Sequence, residues 1–146
     1  MNSAVMKILL DSSFCVLCTC KNDIPNSSLM LFVCDDHCKK IHMLTLKDST
    51  KHLNILNNTN VSLLIDTRET MQDRTAQVKA LTIHGEASIV DDNDTSRKLI
   101  DQIVKKHDKV LNLALNSSVC VIEVLIKRIL LLESADKGCD VSLPGK

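Results

Sequence analysis

The chain has 146 residues, with 18 lysines and arginines against 18 aspartates and glutamates, a formal net charge of +0. That length makes one domain whose core needs neither disulfide nor metal, and the balanced charge, with no basic stripe carrying interleaved aromatics, argues against nucleic acid as a partner. With no Trp or Tyr and only two Phe, the core has to be built from Leu, Ile, Val, Met and Cys, and an aromatic cage made by this chain alone is largely excluded.

Residues 2–11 place Val5, Met6, Ile8, Leu9 and Leu10 on one broad face, which predicts a short helix. Lys7 breaks the apolar run and no small-residue cleavage signal follows, so the segment does not read as a secretory signal. "FCVLCT" predicts a buried strand, "KNDIPNS" a turn, "SLMLFVC" a second strand, "DDHCKK" a tight connection and "IHMLTL" a third strand, a meander of hairpins. Ser49 or Asp48 then caps a helix running to about Asn57, with Leu53, Ile55 and Leu56 as its apolar positions. "NVSLLID" is a strand again, and the polar stretch 67–77 is expected to be an exposed loop.

"VKALTIHGEASIV" alternates over a long span, and Gly85 within it signals a bulge or a close backbone approach. "DDNDTSRKLIDQIVKKH" predicts an amphipathic helix capped by Asp94 or Thr95, with Leu99, Ile100, Ile103 and Val104 on one face, and "KVLNLAL" adds a second helical piece. "VCVIEVLIKRILLLE" carries Glu123, Lys127 and Arg128, too much charge for a lipid-facing helix. Glu123 and Lys127 also form a helical i,i+4 pair, but the density of Val and Ile favours a long final strand. The tail, 136–146, contains Gly138, Pro144 and Gly145 and is expected to be loose. The order of elements predicts a mainly β, α+β domain over 1–135: about six mostly antiparallel strands in a barrel-like sheet with flanking helices. No membrane partner is expected, and seven cysteines without an export signal predict reduced thiols in a cytoplasmic protein.

Cys15 and Cys18 in "CVLC" have the spacing of a redox or zinc pair, yet a redox thiol belongs at a helix start. Residues three apart on a strand point to opposite faces, which favours a structural role. Cys34, His37 and Cys38 in "CDDHC" could hold a metal at a hairpin turn, but a structural zinc needs a fourth ligand, so an ordinary acidic turn is the simpler reading and no metal is expected. His42 and His84, on strands, and His107, near a helix C-terminus where an imidazolium is favoured, read as structural or surface residues.

"TLKDSTKHLNILNN" differs in kind. A helix start presents unpaired amides and a positive dipole end, so Thr45, Ser49, Thr50 and Lys51 clustered there form either an ordinary cap or an anion seat. Capping explains Ser49, or Asp48 as the alternative cap. It leaves unexplained a lysine at the end of the helix where its charge is unfavourable, and an anion would explain it.

"MLTLKDSTKHLNILNNTNVSLLID", with "IPNSSLMLFV" upstream and "LTIHGEASIV" downstream, resembles the pyridoxamine 5'-phosphate oxidase-related, FMN-binding split-barrel family, and the order of elements agrees from about residue 5 to residue 133. The resemblance implies a six-stranded antiparallel split β-barrel, FMN as cofactor, and a homodimer with FMN at the subunit interface. It implies that Thr45, Ser49, Thr50 and Lys51 surround the FMN phosphate, that Ser28, Leu29 and Met30 lie along the flavin ring, and that Lys79 or Thr82 reaches the cofactor. Thr50, Ser28 and Ala80 stand where the family's oxidases have two arginines and a glutamine, and the tail "SADKGCDVSLPGK" lacks their terminal aromatic and arginine. The expected function is therefore that of an FMN-dependent oxidoreductase of unknown substrate, not a pyridoxamine phosphate oxidase proper. The alternatives are a non-enzymatic split barrel holding another anionic ligand, such as a haem propionate or a deazaflavin phosphate, and a small zinc protein.

Overall fold

The computed structural model describes residues 1–73, 75–134 and 136–143. Helix α1, Ser3–Asp11, is capped by the Asn2 side chain, which accepts the Ala4 amide. Strands β1, Phe14–Lys21, and β2, Ile24–Leu31, form a hairpin closed by Asn22 and Asp23 at φ 52° and 61°. Both are residues that tolerate the left-handed region a two-residue hairpin demands. The turn is therefore shorter than "KNDIPNS", and Ile24 to Ser27 already pair with β1. Pro25 is accommodated because β2 is a sheet edge.

The second apolar run breaks at Phe32. Val33–Cys34 becomes a separate strand, β3, that leaves β1 to pair with β4, Lys40–Leu46. Helix α2, Thr50–Asn57, leads to β5, Asn60–Asp66, and a 3-10 turn, Thr67–Glu69, opens the polar loop before β6, Ala80–Ile89. Helix α3, Asn93–Lys106, is capped by Asp92, whose carboxylate takes the Thr95 amide at 2.8 Å, so Asp94 and Thr95 lie inside the first turn instead of before it. A 3-10 turn, Asp108–Val110, and the short α4, Leu111–Ala114, precede the long β7, Val119–Ser134. The tail expected to be loose forms β8, Lys137–Val141, paired with β7. The expected domain end at Ala135 and the tail residues 144–146 lie outside the described residues.

All pairings are antiparallel, in the order β2-β1-β5-β6-β7-β4-β3, with β8 also on β7. The sheet has eight strands where six were expected; the extra two are β3 and β8. It curls around one core that includes Leu9, Leu17, Phe32, Met43, Ile55, Leu63, Ile83 and Val124. A second, smaller cluster packs Ile103 of α3 against Val33, Leu44 and Val121, so β4 is buried on both faces. Where the sheet's ends meet, β2 comes alongside β4 without forming a ladder, and that open seam is the split in the barrel.

Burial explains most of the residues left over from the motif search. His107 closes α3, and its Nε2 lies 2.7 Å from the Phe32 carbonyl oxygen. Lys106 donates to the carbonyls of Leu10 and Ser12, the C-terminal end of α1, where a cation is favoured. Cys34 and Cys38 both turn into the core while His37 faces solvent, and among the described residues no metal-ligating cluster forms. Burial, with Cys18 nearby, pushes the Cys15 thiol up to about 12, which makes it inert. Among the described residues, no helix is long and apolar enough to cross a membrane.

Two features hold β7 in place. The register with β6 shifts between His84 and Gly85, as a bulge requires. There the strands come so close that a Cβ on Gly85 would lie 2.6 Å from Val124 Cγ1 and 2.8 Å from the Leu125 carbonyl oxygen. Glu123 does not pair with Lys127, which binds Glu86 at 3.1 Å; instead its carboxylate takes His42 Nε2 at 2.9 Å and Lys40 Nζ at 3.0 Å from β4. Burial pushes the Glu123 carboxyl up, and the hydrogen bonds from His42 and Lys40 more than reverse this, leaving it below the usual carboxylate range.

Gly85→Ala is expected to destabilise the fold by about 2 kcal/mol or more, because the obstruction is partly backbone and cannot rotate away; urea unfolding measures this. Glu123→Gln is expected to cost about 1–2 kcal/mol near neutral pH. A depressed carboxyl stabilises only when ionised, so its contribution is present above the ordinary carboxylate range and lost as pH falls through it. The stability gap between wild type and Glu123→Gln should therefore close in acid, measured as unfolding free energy against pH.

Candidate functional site

The start of α2 is built by three interlocking hydrogen bonds. Ser49 is the N-cap: its hydroxyl accepts the His52 amide at 3.3 Å and lies 3.0 Å from Thr45 Oγ1, which is buried at the end of β4. The Asp48 amide donates to His52 Nδ1 at 3.1 Å, which makes this a variant of the capping box with a histidine reaching back one residue beyond the cap. Inside the domain, Asn54 donates to Thr19 Oγ1 at 3.0 Å and ties the helix to β1. The amides of Thr50 and Lys51 belong to the first turn and have no intrahelical acceptor. Lys51 is half-buried, and among the described residues no carboxylate pairs with it.

From this helix start an apolar cleft of about 430 Å³ runs along the open seam of the barrel. Leu29, Met30 and Leu31 of β2 form one wall and Leu44, Thr45 and Leu46 of β4 the other. Phe14 lies at one side, Ile103, Val110 and Leu113 close the far side, and Ser49 and Lys51 sit at the polar end. A neighbouring cavity of about 420 Å³ shares Phe14 and Leu29 and ends in a charged rim of Asp66, Arg68 and Glu69. Hydrogen bonds from Arg68 hold the Asp66 carboxyl below its usual range. The arrangement suits a ligand with a flat apolar body and one anionic end, since the seam supplies apolar walls and the helix start supplies amides, hydroxyls and an ammonium.

Of the residues expected at the site, Leu29, Met30, Thr45, Ser49 and Lys51 line this one cleft, and Thr50 stands beside it at the first helical position. Ser28 is on β2, half-buried, one residue outside the cleft lining. Lys79 and Thr82 are not brought to it. Thr45 pairs with Cys120 and Thr82 with Leu130, ten residues further along β7 and roughly 30 Å of strand away. The Lys79 ammonium lies 3.8 Å from Glu133, in a separate small cavity with Lys7 and Thr67. Sequence reasoning missed His52, whose place three residues after the cap is where a capping box puts its second side chain. It also missed Leu44, Leu46, Phe14, Ile103, Val110 and Leu113, apolar residues indistinguishable in sequence from core.

A curled antiparallel sheet, flanking helices and a cleft at the open seam define a protein of the split-barrel class. The chain belongs to the pyridoxamine 5'-phosphate oxidase family, whose pattern it matches over residues 1–132. Among solved structures it is similar to a candidate pyridoxamine 5'-phosphate oxidase from Listeria innocua, at 21% identity over 90% of this chain and 97% of that one, TM-score 0.70. An FAD-binding protein from Mesorhizobium loti is 17% identical over 90% and 94%, TM-score 0.71. The haem storage protein HutZ from Vibrio cholerae is 18% identical over 90% and 93%, TM-score 0.73. No curated protein matches the sequence significantly.

Proposed function

We propose that the chain is an FMN-binding flavoprotein, an oxidoreductase of the pyridoxamine 5'-phosphate oxidase-related class, that works as a homodimer. The observation that carries this reading is the joining of an apolar seam cleft to a helix start where Thr45, Ser49 and Lys51, which has no carboxylate partner among the described residues, converge. Bound FMN would supply two-electron redox chemistry through its ring. Ser49, the first-turn amides and Lys51 hold the phosphate, and Thr45 buttresses Ser49 from below. Leu29, Met30, Leu31 and Leu44 exclude water from the ring. No acid or base side chain among the cleft's lining residues is placed to move a substrate proton, since Lys51 is engaged with the phosphate. Seven free thiols support a reducing compartment such as the cytoplasm.

Dimerisation is supported by the sheet's outer face. Leu29, Val16, Leu64, Thr82 and Leu130 fall in one row across β2, β1, β5, β6 and β7, and Leu29 is 69% and Leu64 40% exposed. A second copy covering this row removes an apolar patch that a monomer would leave in water. It also sets Thr82 at the interface.

The haem-storage neighbour supports a second reading, with a haem propionate in the same anion seat. It is the weaker one, because the cleft's lining contains no histidine, cysteine or tyrosine to ligate iron. Stoichiometric oxidation of pyridoxamine phosphate is not part of the proposal, because the tail that would carry the aromatic and arginine is instead β8.

The purified protein is expected to show a flavin absorption spectrum, or to acquire one and a higher Tm when FMN is added; a Soret band, or no response to excess FMN, would sink the flavin reading. Lys51→Ala is expected to weaken FMN binding by about 1–3 kcal/mol through loss of a charge-assisted phosphate contact. Flavin fluorescence titration measures it, and an unchanged Kd would show that the phosphate lies elsewhere.

A further inference from the structure

The chain reaches α2 through a tight turn in which the Ser49 amide donates to the Leu46 carbonyl at 3.3 Å and Asp48 stands at φ 65°. Glycine is most at home at a positive φ in the third place of such a turn, asparagine and aspartate tolerate it, and a contact that holds the residue there stabilises the turn. The contact that holds it is the 3.1 Å hydrogen bond from the Asp48 amide to His52 Nδ1. A backbone amide can only donate, so Nδ1 must be bare, and the neutral ring carries its proton on Nε2. His52 also gives its own amide to Ser49 Oγ, so one buried residue fixes both the turn and the hydroxyl beside the anion seat.

We propose that His52 is the positioning residue of the phosphate seat: its neutral imidazole, accepting through Nδ1, locks the turn at Asp48 and thereby sets Ser49 and the first-turn amides of α2 in their anion-binding arrangement. This rests on the reading that the seat takes the phosphate of FMN. His52 does not touch the ligand.

Asparagine places its Oδ1 where histidine has Nδ1 but cannot be protonated, and this separates positioning from mere bulk. FMN and riboflavin affinities of wild type, His52→Asn and His52→Ala are compared by flavin fluorescence at pH 8. At pH 8 His52→Asn is expected to bind FMN within about twofold of wild type and His52→Ala about fivefold more weakly, with riboflavin unchanged in both. A loss of FMN affinity in His52→Asn as large as in His52→Ala, or equal loss of riboflavin and FMN in His52→Ala, would overturn the proposal. Should His52→Ala not fold, His52→Leu, similar in size and without an acceptor, takes its place. If wild type binds FMN no more tightly than riboflavin, the phosphate seat itself falls, and the role of His52 with it.

Discussion

The pairing of β7 with β6 on one edge and β4 on the other is the constraint from which the remaining architecture follows. Glycine at 85 lets β6 cross β7 closely enough for that ladder to continue past the bulge. Glu123, from the middle of β7, reaches over to His42 and Lys40 and fixes the register of β4. With β4 held there, its C-terminal end delivers Thr45 and the turn into α2 to the rim of the barrel. The curled sheet brings β2 alongside β4, but β4 is already committed to β7 and β3. The two strands therefore face each other across an unpaired seam.

That seam is why the fold can host a ligand at all. A fully closed barrel of this size fills its interior with side chains; here the interior is filled too, by Phe32, Met43, Ile83 and their neighbours, and the usable space lies at the split instead. The walls of the cleft are the leftover apolar faces of β2 and β4, roofed by Ile103, Val110 and Leu113. The same α3 that buries Ile103 against Leu44 anchors α1 through Lys106, so the cleft wall and the N-terminal helix are supported by one element.

Much of this was legible from residues. Alternation exposed the long β6, Gly85 announced its bulge, and Thr45, Ser49 and Lys51 could be grouped because they are neighbours in sequence, and the structure sets them along one cleft. What could not be read depended on partners. Nothing in "SLMLFVC" marks Phe32 as the point where the chain changes neighbours, since both halves are equally apolar. "KGCDV" has little intrinsic strand character and pairs because β7 offers it hydrogen bonds. In "DDND" several residues are competent caps, and packing of α3 on β4 selected Asp92. Lys79 and Thr82 are neighbours of the cofactor only in the resemblance; in the structure neither lines the cleft, and Lys79 lies beside Glu133. The roof of the cleft comes from residues more than fifty positions beyond Ser49, a proximity only tertiary structure creates.

β8 has a meaning for solubility. Beyond Leu125, where β4 ends, the edge of β7 opposite β6 runs through Ile129, Leu130, Leu131 and Leu132, and β8 is what pairs with it. An unprotected edge of that composition is a template for intermolecular strand addition. The short tail strand, poor in apolar residues and bearing Asp140 on Arg128, therefore acts as a guard against aggregation. Val141, at the end of this strand, packs against the core, so the guard is held by an apolar contact as well as by backbone hydrogen bonds and charge.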